Sequence, residues 1–271
     1  FDPITSLDDA GITMISRDDI LAECDALVIA SPTSQHYRAL IDCMGNGKPT
    51  FVEKPLVVTY RDWSDLHNYL STANLFVGYN LRFHGCVQKA FAWLAAGEIG
   101  APLAASFSCG QLNTKYHDDL VLNWSHEIDL ARYLFGACDV VSAHVSARDC
   151  LDVVLQHRVH NLRSVVHLNY VSDPQVRHFH ITGANGSIFA DLVNCTVEKS
   201  SPKEWRDKRF FSRECCWERC YRDEMKAFLD HAAGKKTAGA TGADGLAVMK
   251  LCLDAQDMTP GAPRLPPPQP P

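Results

Sequence analysis

The chain has 271 residues, 46% of them apolar and 21% charged, which supplies one large or two ordinary buried cores. Its net charge of −6 comes from interspersed acidic and basic residues and offers no surface suited to a polyanion, so nucleic acid is not an expected partner. No apolar run approaches the ~20 residues that cross a bilayer, and Phe1 onward shows no basic-then-apolar leader, so the expectation is a cytoplasmic protein with no membrane partner.

In chain order, Ile12–Ile15 and Arg17–Glu23 read as a short strand and helix. Ala26–Ala30 is a continuous apolar run ending at Ser31-Pro32, as expected of a strand buried on both faces. Ser34–Gly45 has Tyr37, Leu40, Ile41 and Met44 at helical spacing, with Gly45 and Gly47 as stop signals. Thr50–Val52 is a second strand and ends at Glu53-Lys54-Pro55. A helix capped by Thr59 follows to Leu70, then a third strand over Leu75–Tyr79. Strands alternating with helices of this length predict βαβ units and a parallel, doubly wound α/β sheet.

After a helix over Cys86–Ala96 the texture changes. Strands are expected over 102–111, 140–148, 151–159, 163–170, 177–183 and 187–191, with Asn185-Gly186 as a tight hairpin turn and one helix over His126–Phe135. Such a run of strands predicts an α+β region with an open, mostly antiparallel sheet. Helices are expected over 222–233 and 243–255. The division that follows is a partial Rossmann-like domain over 1–83, an α+β domain over 84–258 and a proline-rich tail over 259–271. The eleven cysteines form no CxxC pair and carry no zinc spacing, so no metal is expected and free thiols in a reducing compartment are the reading.

A parallel sheet binds ligands beyond the carboxyl ends of its strands. Three polar groups fall there: Ser31-Pro32-Thr33 with His36, Glu53-Lys54-Pro55, and Tyr79-Asn80 with Arg82. A lysine at a buried strand end is placed to hydrogen-bond a substrate hydroxyl and favour alkoxide character there. Taken alone, Glu53 and Lys54 read equally well as a solvated ion pair. His126 opens a helix and suits proton transfer near neutral pH; a locally bonded helix-start histidine is the plainer reading of that segment in isolation. Asp129, three residues on, either orients the imidazole or complements the helix N-terminus.

The segments Ile29–His36, Phe51–Leu56, Gly78–His84, Gly97–Gly100 and Ser125–Asp129, in this order, resemble the Gfo/Idh/MocA oxidoreductase family over roughly residues 1–255. The resemblance implies a Rossmann domain for NAD or NADP, and hydride transfer to or from a secondary alcohol of a sugar or related polyol. It also implies pairing through the open sheet as a homodimer or homotetramer. It makes Lys54 and His126 catalytic and gives substrate contacts to Tyr79, Asn80, Arg82, Asn123 and Asp129. It lines the cofactor with Ser31, Pro32, Thr33, His36, Glu53 and Lys54. Two departures stand out. Asn123 occupies a place where many members carry aspartate, and an amide cannot act as an ionised carboxylate. The G-x-G-x-x-G fingerprint is absent, and Phe1-Asp2-Pro3 reads as the end of the second family strand, with Asp2 accepting the ribose hydroxyls and favouring NAD. These 271 residues are therefore expected to bind cofactor weakly, with a non-catalytic binding or dimerisation module as the alternative.

Overall fold

The protein is described from a computed structural model over residues 17–45, 47–69, 74–112, 120–147, 150–159, 161–202 and 204–259. The expected strand at 12–15, Asp2 and the proline-rich tail from residue 260 lie outside these residues.

The first sheet holds three parallel strands, β1 (Leu27–Ile29), β2 (Thr50–Glu53) and β3 (Leu75–Gly78). The intervening helices are α2 (Thr33–Met44) and α3 (Tyr60–Tyr69), and a shorter helix, α1 (Arg17–Glu23), precedes β1. β3 is buried throughout, and Leu40 from α2 and Leu66 from α3 are fully enclosed. Thr59 caps α3 as its sequence position suggests, its Oγ1 accepting from the Asp62 backbone N–H at 3.1 Å. β1 departs from expectation: Val28 is 55% exposed, because β1 is the edge of this sheet among the described residues. A fourth strand, β12 (Ala240–Thr241), arrives from far along the chain and pairs antiparallel with β3.

The second sheet has eight strands. In chain order they are β4 (Pro102–Gly110), β5 (Cys138–Ala147), β6 (Cys150–His157), β7 (Arg163–Asn169), β8 (Val176–Gly183), β9 (Gly186–Asp191), β10 (Thr196–Ser201) and β11 (Glu204–Phe210). They lie side by side as β11-β10-β9-β8-β4-β7-β6-β5. β4 and β7 are parallel and the remaining neighbours antiparallel, which makes the sheet mostly antiparallel as expected. Strict alternation along β6 and β8 puts Val153, Leu155, Phe179 and Ile181 in the core. α4 (Gly85–Ala95) and α6 (Ser125–Phe135) cover that face. The β8–β9 hairpin turns on Ala184-Asn185, one residue earlier than Asn185-Gly186, so that Gly183 and Gly186 pair across it.

Two helices close the chain, α7 (Arg219–Ala232), longer at its start than expected, and α8 (Gly242–Asp257). α8 begins at a capping box between Thr241 and Asp244 and packs against α3, α6, β3 and β5, so it touches both sheets. Trp63 of α3 donates to the Leu246 carbonyl on α8 at 2.9 Å. The carboxyl ends of β2 and β3 therefore lie against the segment that opens α6.

Candidate active site

Lys54 leaves β2 at its carboxyl end, and its Nζ donates to the Asn123 backbone carbonyl at 2.8 Å. Asn123 ends the short helix α5 (Leu120–Asn123) and is itself buried. The contact thus runs through its main chain, not through the side chain singled out in the sequence. Burial pushes the Lys54 pKa down, the positive charge of Arg177 adds to this, and Glu127 and Glu53 oppose it.

His126 is half-buried at the start of α6, and its Nδ1 is sealed from solvent without a hydrogen-bond partner. The Tyr79 ring stands edge-on to the imidazole, with centroids 5.7 Å apart. Burial holds the His126 pKa well below its ordinary value, and the charges of Lys54 and Arg177 act in the same direction. Lys54 and His126, 72 positions apart by their numbers, are therefore electrostatic neighbours facing one crevice, and the imidazole is neutral at physiological pH.

Beneath them lies a pair absent from the sequence reading. Arg177, at the start of β8, donates from Nε to Glu127 Oε1 at 2.7 Å and from Nη2 to Oε2 at 3.2 Å. Both side chains are buried, and the guanidinium lies over the Trp124 ring at 5.4 Å. The charge of Arg177 reaches both Lys54 and His126, and that of Glu127 reaches Lys54.

Arg82 and Asp129, both expected at the substrate, form a second buried pair. Arg82 lies in the 3-10 turn Asn80–Phe83, and its Nε and Nη2 reach Asp129 at 2.9 and 2.6 Å. Its Nη1 is 3.4 Å from the Gly239 carbonyl and 3.5 Å from Asp244, and Tyr133 underlies the guanidinium at 5.1 Å. Asp129 consequently turns to Arg82 instead of orienting His126. The pair joins the end of β3 to α6 and to the start of α8.

His36, expected to line the cofactor, is held by backbone carbonyls. It is fully buried, with Nε2 2.8 Å from the Ser31 carbonyl and Nδ1 2.9 Å from the Pro55 carbonyl. It ties the β1–α2 turn to the Lys54-Pro55 turn and has no ring nitrogen left for a cofactor. Burial pushes its pKa down, against the pull of the two carbonyls. Ser31, Pro32 and Thr33 form the turn that opens α2, with Pro32 exposed and the Ser31 Oγ buried without a partner. Glu53 is half-buried beside Gly78, its pKa raised by burial against the backbone N–H and charge of Lys54.

α7 contributes two further residues that sequence reasoning missed. Tyr221 is hydrogen-bonded by the Asn80 side chain, and Glu224 is buried with its Oε1 unpartnered. The signal for both was the polar face of an amphipathic helix, which by itself reads as solvated.

The described residues thus bring together an imidazole kept neutral by burial, a half-buried amine held by a backbone carbonyl, and a helix-opening turn at parallel strand ends. Residues 8–81 match the family model described as oxidoreductase family, NAD-binding Rossmann fold. The chain is 28% identical over 250 residues to inositol 2-dehydrogenase 2 of Mycolicibacterium vanbaalenii, covering 85% of this chain and 72% of the relative. It is 32% identical over 145 residues to the NAD(+) scyllo-inositol 2-dehydrogenase of Bacillus subtilis, covering 50% and 39% respectively. Among solved structures, a levoglucosan dehydrogenase in complex with NADH and L-sorbose superposes with a TM-score of 0.78 at 18% identity, covering 89% of this chain and 79% of that one. The match to the NAD-binding Rossmann model of the Gfo/Idh/MocA oxidoreductases thus spans the region that carries the first sheet, and the two-sheet architecture is shared with solved dehydrogenases.

Proposed function

We propose that this protein is an NAD-dependent dehydrogenase that oxidises a ring secondary alcohol of an inositol or closely related cyclic polyol. The observation that carries this reading is the convergence of Lys54 and His126 on one crevice, with the imidazole held neutral. The names of the relatives supply the substrate class.

The cofactor fits the residues present. The Ser31-Pro32-Thr33 turn opens α2 at the carboxyl end of a parallel strand, with an unpartnered buried hydroxyl at Ser31. Glu53 and Asn80 line the neighbouring strand ends. A bound nicotinamide would supply the hydride acceptor. The protein's own residues handle the proton. Neutral His126 accepts the hydroxyl proton on its imidazole. The Lys54 amine, steadied by the Asn123 carbonyl, donates a hydrogen bond to the oxygen as negative charge grows on it. Burial, with the charges of Lys54 and Arg177, keeps the imidazole unprotonated before reaction. His36 and the Arg82–Asp129 pair fix the turns from which Lys54 and Tyr79 project.

Steady-state assays of NADH formation from NAD and myo- or scyllo-inositol test this. Lys54→Ala and His126→Ala are each expected to lower kcat by roughly 10²–10⁴-fold, with a smaller change in KM. NADH binding without turnover on any cyclic polyol would overturn the catalytic reading in favour of a binding module.

A further inference from the structure

Away from the crevice, four residues that the reaction does not use meet in the interior. His84 precedes α4 and Cys86 lies in the first turn of that helix. Cys195 sits in the turn between β9 and β10, and Cys216 lies in the π-helical turn Glu214–Glu218 that leads into α7. A ring nitrogen of His84 and the sulfurs of Cys195 and Cys216 lie within 4.8 Å of one another. Cys86 is hydrogen-bonded to Cys216. His84, Cys86 and Cys216 are fully buried, and Cys195 is 5% exposed.

A buried thiol ordinarily acts as a small apolar group and calls for no other account. Three thiols from three segments gathered around one imidazole are different. His84 Nδ1 accepts from the Cys86 backbone N–H at 3.2 Å, while Nε2 is buried without a hydrogen-bond partner. A buried polar atom ordinarily has one. Cys195 also holds φ at 54°, a left-handed conformation that a non-glycine residue keeps only where its surroundings enforce it.

Tetrahedral zinc with Zn–S of about 2.3 Å and Zn–N of about 2.0 Å sets its ligand atoms roughly 3.5–3.8 Å apart, inside the envelope of His84, Cys195 and Cys216, with Cys86 next to Cys216 as the fourth donor. Thiolate and imidazole donors suit that ion, and a donor set closed to solvent is the mark of a structural site and not a catalytic one.

We propose that His84, Cys86, Cys195 and Cys216 form a structural zinc site. Binding replaces three thiol protons, released to solvent, by Zn–S bonds, and no oxidation state changes. His84 coordinates through Nε2, its ring proton moves to Nδ1, and the long contact from Cys86 is given up. The ion fastens the start of α4 and the β9–β10 turn to the approach of α7, the helix that carries Tyr221 and Glu224 to the crevice.

The test is elemental analysis of the full chain purified under reducing conditions from zinc-supplemented medium, together with cobalt(II) substitution. About one zinc per chain is expected, with the intense visible bands and sulfur-to-cobalt charge transfer of a tetrahedral thiolate site. The Cys195→Ser/Cys216→Ser double variant is expected to lose the metal and the charge-transfer band, whereas Cys150→Ser, outside the cluster, retains both. The unsubstituted chain decides the matter even if the double variant fails to fold. A reduced, folded chain without zinc and without cobalt charge transfer overturns the proposal. Peptide mapping that finds Cys216 disulfide-bonded to Cys86 or Cys195 also overturns it.

Discussion

Glu224, brought by α7 beside the charges of Glu53 and Asp129, has its pKa pushed up to about 9, first by burial and then by those two carboxylates. In the unfolded chain the same group titrates near 4.5. Between these values the native state holds a proton that the unfolded state has lost, so this group's contribution to stability falls as pH rises through the window. Glu224→Gln keeps the shape and removes the titration. It is expected to stabilise the protein by roughly 2–4 kcal/mol near pH 8 and to change little near pH 4.5. Urea unfolding at the two pH values measures this, and equal effects at both would show that Glu224 ionises as readily folded as unfolded. Lys54 and His126 were legible in the sequence because each sits at a local landmark, a strand end before proline and a helix start. Glu127 and Arg177 were not, since nothing local says that a helix-start glutamate will meet an arginine on a strand beginning at Val176. Arg82 and Asp129 were noticed, but their mutual pairing was not, for the same reason of distance along the chain.

At the scale of elements, the β8–β9 hairpin depends on glycine at both ends of its two-residue turn. A Cβ on Gly186 would lie 2.2 Å from the Ser200 carbonyl on β10, where only backbone can yield. Gly186→Ala is expected to cost about 1–3 kcal/mol through this overpacking, read as a lower Tm in thermal unfolding. An unchanged Tm would mean that β10 accommodates the methyl group freely. The strands from β5 to β9 were readable because their apolar residues alternate over one buried face. β10 and β11 were not, since Thr196–Ser201 buries only Val197 and Glu204–Phe210 is dominated by charged residues. β12 has two residues, too few for any period to show.

For the whole molecule, two opposed titrations set the response to pH. Burial lowers the pKa of both His36 and His126 below 6.5, so below that value the unfolded chain binds protons that the native chain excludes, and stability falls on acidification. Above it, the raised Glu224 makes stability fall as pH increases. A maximum near pH 6.5 is expected in urea midpoints collected between about pH 5 and 9, with His126→Gln flattening the acid side by about 1.4 kcal/mol per pH unit. A monotonic profile would sink this account. The expected boundary at residue 83 did not foresee that β12 and α8 return to the first sheet, because that link rests on long-range packing of Arg82, Asp244 and Trp63 with no composition signal at the crossing. The return has a consequence for how the protein is made. β3 ends at Gly78, yet its outer neighbour begins at Ala240. At roughly 5–20 residues per second, a ribosome spends about 10–30 s on the stretch between them. Throughout that interval the nascent Lys54 sits on a sheet with an unpaired edge, and the strand that covers that edge follows only after the whole second sheet has emerged.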